Sequence, residues 1–191
     1  DGTATVALTV SGISDEAGNT AAVASSQTTS FIIDNTAPSV TLAYTDGQTP
    51  YATGPYKSGN SVTVTATFTE TNALSGTPTL TLVAGTFTGG TLPTVTLSGS
   101  GLVYTGTFTV PAGNGTVTAS VGAVDTAGNT LTATGQTGFT IDNTAPTAAL
   151  TYALDATNFA SSLSRPTKSG DTVTVKTTFT EAIALDGTPT I

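Results

Sequence analysis

One stretch of eight residues occurs twice in the chain and sets the scale of its organisation. Residues 31–38 read Phe-Ile-Ile-Asp-Asn-Thr-Ala-Pro, and residues 139–146 repeat them with a single change, 108 positions later. That interval is the size of one β-sandwich domain and not of a short solenoid repeat. In each copy a β-branched or aromatic run ends a strand, Asp-Asn makes a polar turn, and Pro prevents further ladder pairing. The stretch therefore predicts a joint between tandem domains.

The repeat divides the chain into three parts. We predict the C-terminal part of one domain at residues 1–36, a complete domain at 37–144, and the N-terminal part of a third at 145–191. The third part repeats the opening of the second, since Lys-Ser-Gly at 57–59 returns at 168–170. Because both ends of the sequence fall inside domains, we expect it to be a window from a longer repetitive protein.

Apolar alternation predicts about seven strands in the middle domain and no helix anywhere. In the clearest run, residues 62–69, apolar side chains alternate with four threonines, as in a sheet with one wet face. Residues 46–60 are predicted as a turn-rich loop. The predicted strands are 39–44, 62–69, 79–83, 94–97, 102–110, 116–124 and 131–141, with 5–10 and a run ending at Ile33 in the first part. The predicted core contains Val62, Val64, Phe68, Leu82, Tyr104, Phe108, Val117 and Val121. The fold class is therefore all-β, a two-sheet sandwich.

Composition narrows the possible chemistry. The chain contains no Cys, Met, Trp or His, so it has no disulfide framework, no thiolate or imidazole metal site, and none of the usual nucleophile–base pairs. Threonine makes up about a quarter of the residues, which suits a half-solvated strand face. Twelve acids and four bases give a net charge of −8, so a basic surface for nucleic acid or membrane lipid is missing. We therefore predict no enzyme activity, no nucleic-acid partner and no membrane insertion in this segment.

Acidic residues are predicted to meet at one end of the middle domain. In a seven-strand sandwich, the turns after the second and sixth strands lie at the end where the first strand begins. Carboxylate and amide oxygens gathered there suggest calcium, which takes six to eight oxygen ligands. The alternative is that Asp-Asn and Asp-x-Ala-Gly-Asn are ordinary turns without a metal. The candidate ligands are Asp34, Asn35, Glu70, Asn72, Asp125 and Asn129, with Asp142, Asn143 and Glu181 at matching places around the next joint.

Taken together, these motifs resemble the bacterial immunoglobulin-like repeats of large secreted surface proteins and adhesins. The resemblance is carried by the Asp-Asn-Thr-Ala-Pro joint, by Lys-Ser-Gly ahead of the alternating strand at 62–69, and by Asp-Thr-Ala-Gly-Asn at 125–129. It implies tandem immunoglobulin-like β-sandwich domains of about seven strands each, one complete and two partial. It also implies joints that calcium stiffens.

The leading functional hypothesis is a non-enzymatic structural repeat module of a secreted, extracellular cell-surface assembly: a filament, a stalk or a surface layer. The expected partners are neighbouring copies of the chain, side by side or end to end, and also cell-surface polysaccharide. The alternatives are stalk repeats of a bacterial adhesin, and a polysaccharide-contacting accessory module of a secreted enzyme.

Two further hypotheses concern individual side chains. An intramolecular isopeptide bond, as in some pilin-like sandwiches, would use Lys57, Asn60 and Glu70. Stacking of sugars would use the rings of Tyr44, Tyr51, Tyr56 and Tyr104, although tyrosines in sandwiches are usually half buried.

Overall fold

The computed structural model describes residues 1–7, 13–20, 28–47, 54–155, 157–182, 185 and 187–190. This part of the chain is all-β as predicted, with eleven strands, and it has no helix that could span a membrane. It forms two compact units, Asp1–Asp142 and Asn143–Ile191, while the division into three domains stays a prediction. The strands are β1 (Gly2–Ala7), β2 (Thr28–Ile33), β3 (Ser39–Thr45), β4 (Ser61–Thr69), β5 (Thr79–Ala84), β6 (Ser98–Ser100), β7 (Val103–Thr109), β8 (Gly115–Val124), β9 (Thr130–Ile141), β10 (Thr147–Ala153) and β11 (Thr174–Thr180).

Strands β3 to β9 form two antiparallel sheets around a shared core. The four-stranded sheet has the order β3-β4-β7-β6, and the three-stranded sheet has the order β5-β8-β9. Buried side chains from both sheets form one hydrophobic cluster, which makes the region sandwich-like. Strands β4 and β8 run opposite to β3 and β5, so the ends of β4 and β8 lie where β3 begins. That end carries the candidate site.

Period-two alternation directs the apolar side chains of each strand inward. In β4, Val62, Val64, Ala66 and Phe68 are buried, while the four threonines between and after them are partly or fully exposed. All eight side chains predicted for the core are buried, which confirms that prediction. Each valine or phenylalanine removed from water in this way contributes about 1.5–3 kcal/mol of hydrophobic stabilisation.

An aromatic cluster joins the two sheets at the end away from the candidate site. The ring centre of Phe139 on β9 lies 5.1 Å from that of Tyr44, 5.6 Å from that of Tyr56 and 5.4 Å from that of Phe108. Such pairs add about 0.5–1.5 kcal/mol each beyond the area they bury. Phe139 therefore holds β3, β7 and β9 together.

The predicted strand at 94–97 is wrong. Val95 is 8% exposed, as the alternation required, but its segment makes only an isolated bridge to Leu80, and the paired strand β6 follows it. A Cβ atom at Gly106 would lie 2.7 Å from Cγ1 of Val95, so the segment crosses β7 at a residue without a side chain. The segment passes from the sheet of β5 to the sheet of β7, and alternation alone does not distinguish such a crossing from a ladder strand.

Part of the predicted loop at 46–60 belongs to the core. Residues 48–53 lie outside the described residues, but Tyr56 is only 1% exposed. Its N–H donates to the carbonyl of Thr140 at 2.8 Å, and its carbonyl accepts from the N–H of Asp142 at 3.0 Å. A Cβ atom at Gly54 would lie 2.6 Å from the Thr140 oxygen, so this close approach requires glycine. The segment thus runs as a short parallel extension beside β9.

The first two strands form a hairpin that matches the last hairpin of the sandwich. β1 and β2 pair with Ala4 opposite Phe31, and β8 and β9 pair with Val117 opposite Phe139 in the same register. β1 begins three residues earlier than predicted, and the predicted residues 8–10 fall outside the described part. Phe31 is 49% exposed, against 4% for Phe139.

The second unit contains a hairpin that matches the first hairpin of the sandwich. In β10 and β11, Tyr152 lies opposite Val175, as Tyr44 lies opposite Val64 in β3 and β4. Val175 is 38% exposed and Leu150 is 47% exposed, whereas Val64 is fully buried. The same pairing therefore occurs without the second sheet that covers it in the sandwich.

Candidate functional site

The joint at residues 34–38 connects β2 to β3. The N–H of Asn35 donates to Oδ1 of Asp1 at 2.7 Å, and the hydroxyl of Thr36 donates to Oδ2 of Asp1. The N–H of Thr36 also donates to Oδ1 of Asp34 at 3.0 Å. Pro38 is fully buried at the start of β3. The five residues are thus bonded to the preceding hairpin and packed into the following sandwich.

Three carboxylates converge beside this joint, as the topology predicted. Asp34 comes from the joint, Glu70 follows β4 and Asp125 follows β8. Each offers one oxygen, and the three oxygens lie within 4.8 Å of one another. None of the three forms an ion pair within the part of the chain that the structure describes. Three negative charges at this separation repel one another, and a cation placed among them would relieve that repulsion.

Asp125 closes the turn Asp125–Asn129 on itself. It is 1% exposed, Oδ1 accepts from the backbone N–H of Asn129 at 2.9 Å, and Oδ2 accepts from the Asn129 side-chain amide at 2.9 Å. Burial alone raises the pKa of Asp125, but these hydrogen bonds and those from the turn's backbone outweigh it and hold that pKa below its ordinary 3.8. The same bonds recur between Asp15 and Asn19, at 2.8 and 2.7 Å. The Asp-x-Ala-Gly-Asn motif is therefore a self-satisfied Asx-type turn, whether or not it also contacts a metal.

Asn72 and Asn129 meet Asp34 through nitrogen and not through oxygen. The side-chain amide of Asn72 donates to Oδ2 of Asp34 at 2.5 Å, and that of Asn129 donates to the backbone carbonyl of Asp34 at 3.2 Å. The sequence predicted both residues as oxygen ligands. In the structure their amide nitrogens donate to Asp34, and their assignment as oxygen ligands stays a prediction.

Glu70 carries the one atom of the cluster without a partner in the described residues. Oε1 accepts from the N–H of Thr71 at 2.6 Å and of Asn72 at 3.3 Å. Oε2 is buried and accepts no hydrogen bond. Glu181 repeats this arrangement after β11: Oε1 accepts from the N–H of Ala182 at 2.6 Å, and Oε2 is buried with no partner among the residues that the structure describes.

The donor atoms of the cluster are of the kind that a hard divalent cation binds. Calcium prefers carboxylate and carbonyl oxygens. Each of the three acids offers one carboxylate oxygen to the cluster, and Oε2 of Glu70 is buried without a hydrogen-bond partner in the described residues. The oxygens of Asp125 already accept hydrogen bonds, but a carboxylate has about four lone-pair sites and can also contact a cation. Metal binding at these residues stays a prediction.

The other candidate ligands lie elsewhere. Asn35 is exposed, and its N–H points to Asp1. Asp142 ends the first unit and Asn143 begins the second, and Glu181 follows β11. Their assignment as ligands of a second site also stays a prediction.

The structure separates Glu70 from the other two residues of the predicted isopeptide site. Lys57 is exposed, and its N–H donates to Oδ1 of Asn60 at 2.7 Å in a turn before β4. Glu70 lies after β4, whose nine residues span about 30 Å. The structure thus separates the lysine from the acid that would assist it.

The predicted sugar-stacking rings are in the core. Tyr44, Tyr56 and Tyr104 are 2%, 1% and 6% exposed, and Tyr51 lies outside the described residues. The hypothesis is therefore wrong for the three tyrosines that can be judged.

Asp1 is a joint residue that the sequence reasoning missed. Its signal was nevertheless present, because Asp1-Gly2-Thr3 matches Asn114-Gly115-Thr116 in the hairpin that precedes the second joint. Asp and Asn are both acceptors for backbone N–H groups, so the match indicates a shared position ahead of each joint.

Comparison of the chain with protein-family models, with curated proteins and with solved structures gave no match.

Proposed function

We propose that this chain is a non-enzymatic structural module of an extracellular cell-surface assembly, in which immunoglobulin-like sandwiches are rigid spacers linked by Asp-Asn-Thr-Ala-Pro joints. The observation that carries the proposal is the repeated strand register. Over the three pairs next to the joint, from Gly2–Ile33 to Ala4–Phe31, the hairpin β1–β2 has the register of β8–β9, and β10–β11 pairs as β3–β4 does. A sandwich flanked by copies of its own last and first hairpins is what a tandem array of one domain type produces.

The strand order supports the immunoglobulin-like part of the proposal. Constant-type immunoglobulin domains have seven strands, with A, B, E and D in one sheet and C, F and G in the other. Lettered in chain order from β3 to β9, the two sheets here are A-B-E-D and C-F-G.

The distribution of charge supports close packing between neighbouring copies. Strands β3 to β9 contain no charged residue, and their outward positions are mostly threonines. Thr63 and Thr107 on adjacent strands share a hydrogen bond of 3.3 Å between their hydroxyls. Uncharged hydroxyl-bearing faces can approach each other without like-charge repulsion, and this favours other copies as lateral partners.

Calcium at the joint is part of the same proposal. Asp34, Glu70 and Asp125 would hold the ion, and its charge would offset the repulsion between their carboxylates. The supporting observation is the buried, unpartnered Oε2 of Glu70. Calorimetric titration with calcium, using magnesium as the competing ion, tests this. We expect binding that Glu70→Gln abolishes, since the variant keeps the shape but loses the charge. A wild-type chain without calcium binding at millimolar concentration would contradict it.

Electron microscopy of the purified chain and of the native cell surface tests the spacer function. A structural assembly predicts ordered multimers from these repeats alone, and antibody labelling on the outside of intact cells. Isolated monomeric rods would favour adhesin stalk repeats instead. Binding to glycan arrays would favour the accessory-module alternative, for which the buried tyrosines provide no surface. Labelling confined to the cell interior would refute all three.

A further inference from the structure

We infer that Asn72 and Asn129 are positioning residues that fix the joint at residues 34–38 through hydrogen bonds, so that the joint keeps its geometry without a bound cation. The inference rests on the proposed spacer function and assigns the rigidity of the joint to particular atoms.

The following sandwich holds Asp34 at two separate points. Asn72 donates to the side-chain Oδ2 at 2.5 Å, and Asn129 donates to the backbone carbonyl at 3.2 Å. The two amides come from different turns, one after β4 and one after β8. Contacts to both the side chain and the main chain of one residue restrict its rotation as well as its position. Both bonds are partly buried, and the bond to the carboxylate is charge-assisted, which strengthens it.

The preceding hairpin holds the next two residues. Asp1 accepts from the N–H of Asn35 at 2.7 Å and from the hydroxyl of Thr36. Asp34, Asn35 and Thr36 are therefore each bonded to one of the two neighbouring modules. A chain tied on both sides over three consecutive residues has few free torsions in which to bend.

These bonds form without a metal, because each amide nitrogen donates directly to Asp34. An asparagine that ligates calcium presents its oxygen, whereas here the nitrogens of Asn72 and Asn129 face Asp34 as donors. Calcium bound by the carboxylates would add to the joint without replacing the amide contacts. The acids and the amides thus have separate roles.

The repeat suggests the substitution that tests the inference. Position 183, which is 111 residues after Asn72, is Ile, so Asn72→Ile brings in a residue that the repeat has at its matching place. The control is Asn35→Ala, because the side-chain amide of Asn35 makes no hydrogen bond within the described residues.

The measurement is the distance distribution between spin labels on the hairpin and on the sandwich. The chain contains no cysteine, so Thr5→Cys on β1 and Thr105→Cys on β7, both exposed, take labels uniquely. In excess chelator, we expect a narrow distribution for the otherwise wild-type chain and for Asn35→Ala. We expect Asn72→Ile to raise the population of joints outside this narrow distribution, relative to those within it, roughly tenfold or more, the effect of losing a hydrogen bond to a charged group. Asn72→Leu, which keeps the approximate size but removes the donor without adding a charge, should do the same.

Thermal unfolding of the sandwich separates positioning from folding. We expect its midpoint in Asn72→Leu to stay close to the wild-type value while the distance distribution broadens. Unchanged distributions in both Asn72 variants would overturn the inference and leave the spacer function standing. A wild-type distribution that is narrow only with calcium would overturn it in favour of the cation. A broad wild-type distribution with and without calcium would overturn both the inference and the rigid spacer.

Discussion

Replacing Phe139 by alanine tests the core directly, because the chain supplies its own control in Phe31. The two phenylalanines occupy the same place in the repeated stretch and in the same hairpin register, but Phe139 is 4% exposed and Phe31 is 49% exposed. Phe139 contacts the rings of Tyr44, Tyr56 and Phe108. Truncating a fully packed phenylalanine costs about 3–5 kcal/mol, and three lost ring contacts favour the upper end of that range.

The matching substitution Phe31→Ala removes a ring that is half in water. Substitutions of exposed side chains usually change the free energy of unfolding by about 0.5 kcal/mol or less. A half-exposed ring keeps part of its packing, so we expect a loss below about 1.5 kcal/mol, roughly half the hydrophobic value of a buried one. The difference between the variants should therefore be at least about 1.5 kcal/mol.

Urea unfolding followed by circular dichroism measures both values. A domain of this size has a stability of about 5–15 kcal/mol, so Phe139→Ala remains measurable in all but the least stable case. Phe139→Leu, which leaves a smaller cavity, provides an intermediate variant if the alanine variant does not fold. Equal losses for Phe31→Ala and Phe139→Ala would refute the assignment of the core.

Three further perturbations follow from the sandwich. Burial, and to a smaller extent the neighbouring Tyr56, raise the pKa of Tyr44 from 10.0 to about 12, so the stability that this shift contributes is fully present below pH 10 and is lost as the pH rises towards 12. Tyr44→Phe should therefore flatten the fall in the free energy of unfolding at alkaline pH. It should not lower the free energy of unfolding at pH 7, since the hydroxyl has no described partner. The pKa of Asp125 lies below its ordinary 3.8, so the stability that its carboxylate contributes is complete above pH 3.8 and is lost as the pH falls through the folded-state pKa. Asp125→Asn should lower the free energy of unfolding at pH 7. It should also flatten the decrease of that free energy at acid pH. A Cβ atom at Gly138 would lie 1.7 Å from a backbone oxygen, so Gly138→Ala should lower the stability measured by thermal unfolding by about 1–3 kcal/mol or more. The control is Gly122→Ala, where the nearest atom is a side-chain oxygen at 2.9 Å. If Gly138→Ala cost no more than this control, the close approach at Gly138 would be contradicted.

Much of the fold was predictable because strands such as β4, β7 and β8 have one wet and one dry face. The threonines of β4 point outward and the apolar residues point inward. This period of two indicates both that the segment is a strand and which of its side chains face the core. The prediction failed at Val95, whose burial follows from a crossing over Gly106 and not from a ladder. It also missed Tyr56, since a loop rich in Gly and Pro gives no period from which burial can be inferred.

The location of the site was predictable from the sequence, but the contacts between its individual atoms were not. Antiparallel topology places the ends of β4 and β8 beside the joint, so the meeting of Asp34, Glu70 and Asp125 followed from strand order. Sequence does not tell which end of an amide faces a carboxylate. The hydrogen bond from the amide nitrogen of Asn72 to Asp34 was therefore not predicted, and the assignment of Asn72 as a ligand stays a prediction.

The short parallel pairing of Tyr56 with β9 has a consequence for how the sandwich responds to tension. Its first strand begins at one end and β9 finishes at the opposite end, so a pull on residues 37 and 142 acts along the strands. The bonds from Tyr56 N–H to Thr140 and from Asp142 N–H to Tyr56 then lie across the direction of load, beside the point where force leaves the domain. They must break together by sliding, whereas hairpin bonds loaded at their open end would break one after another. The sandwich thereby places its tethering hydrogen bonds in a shear arrangement.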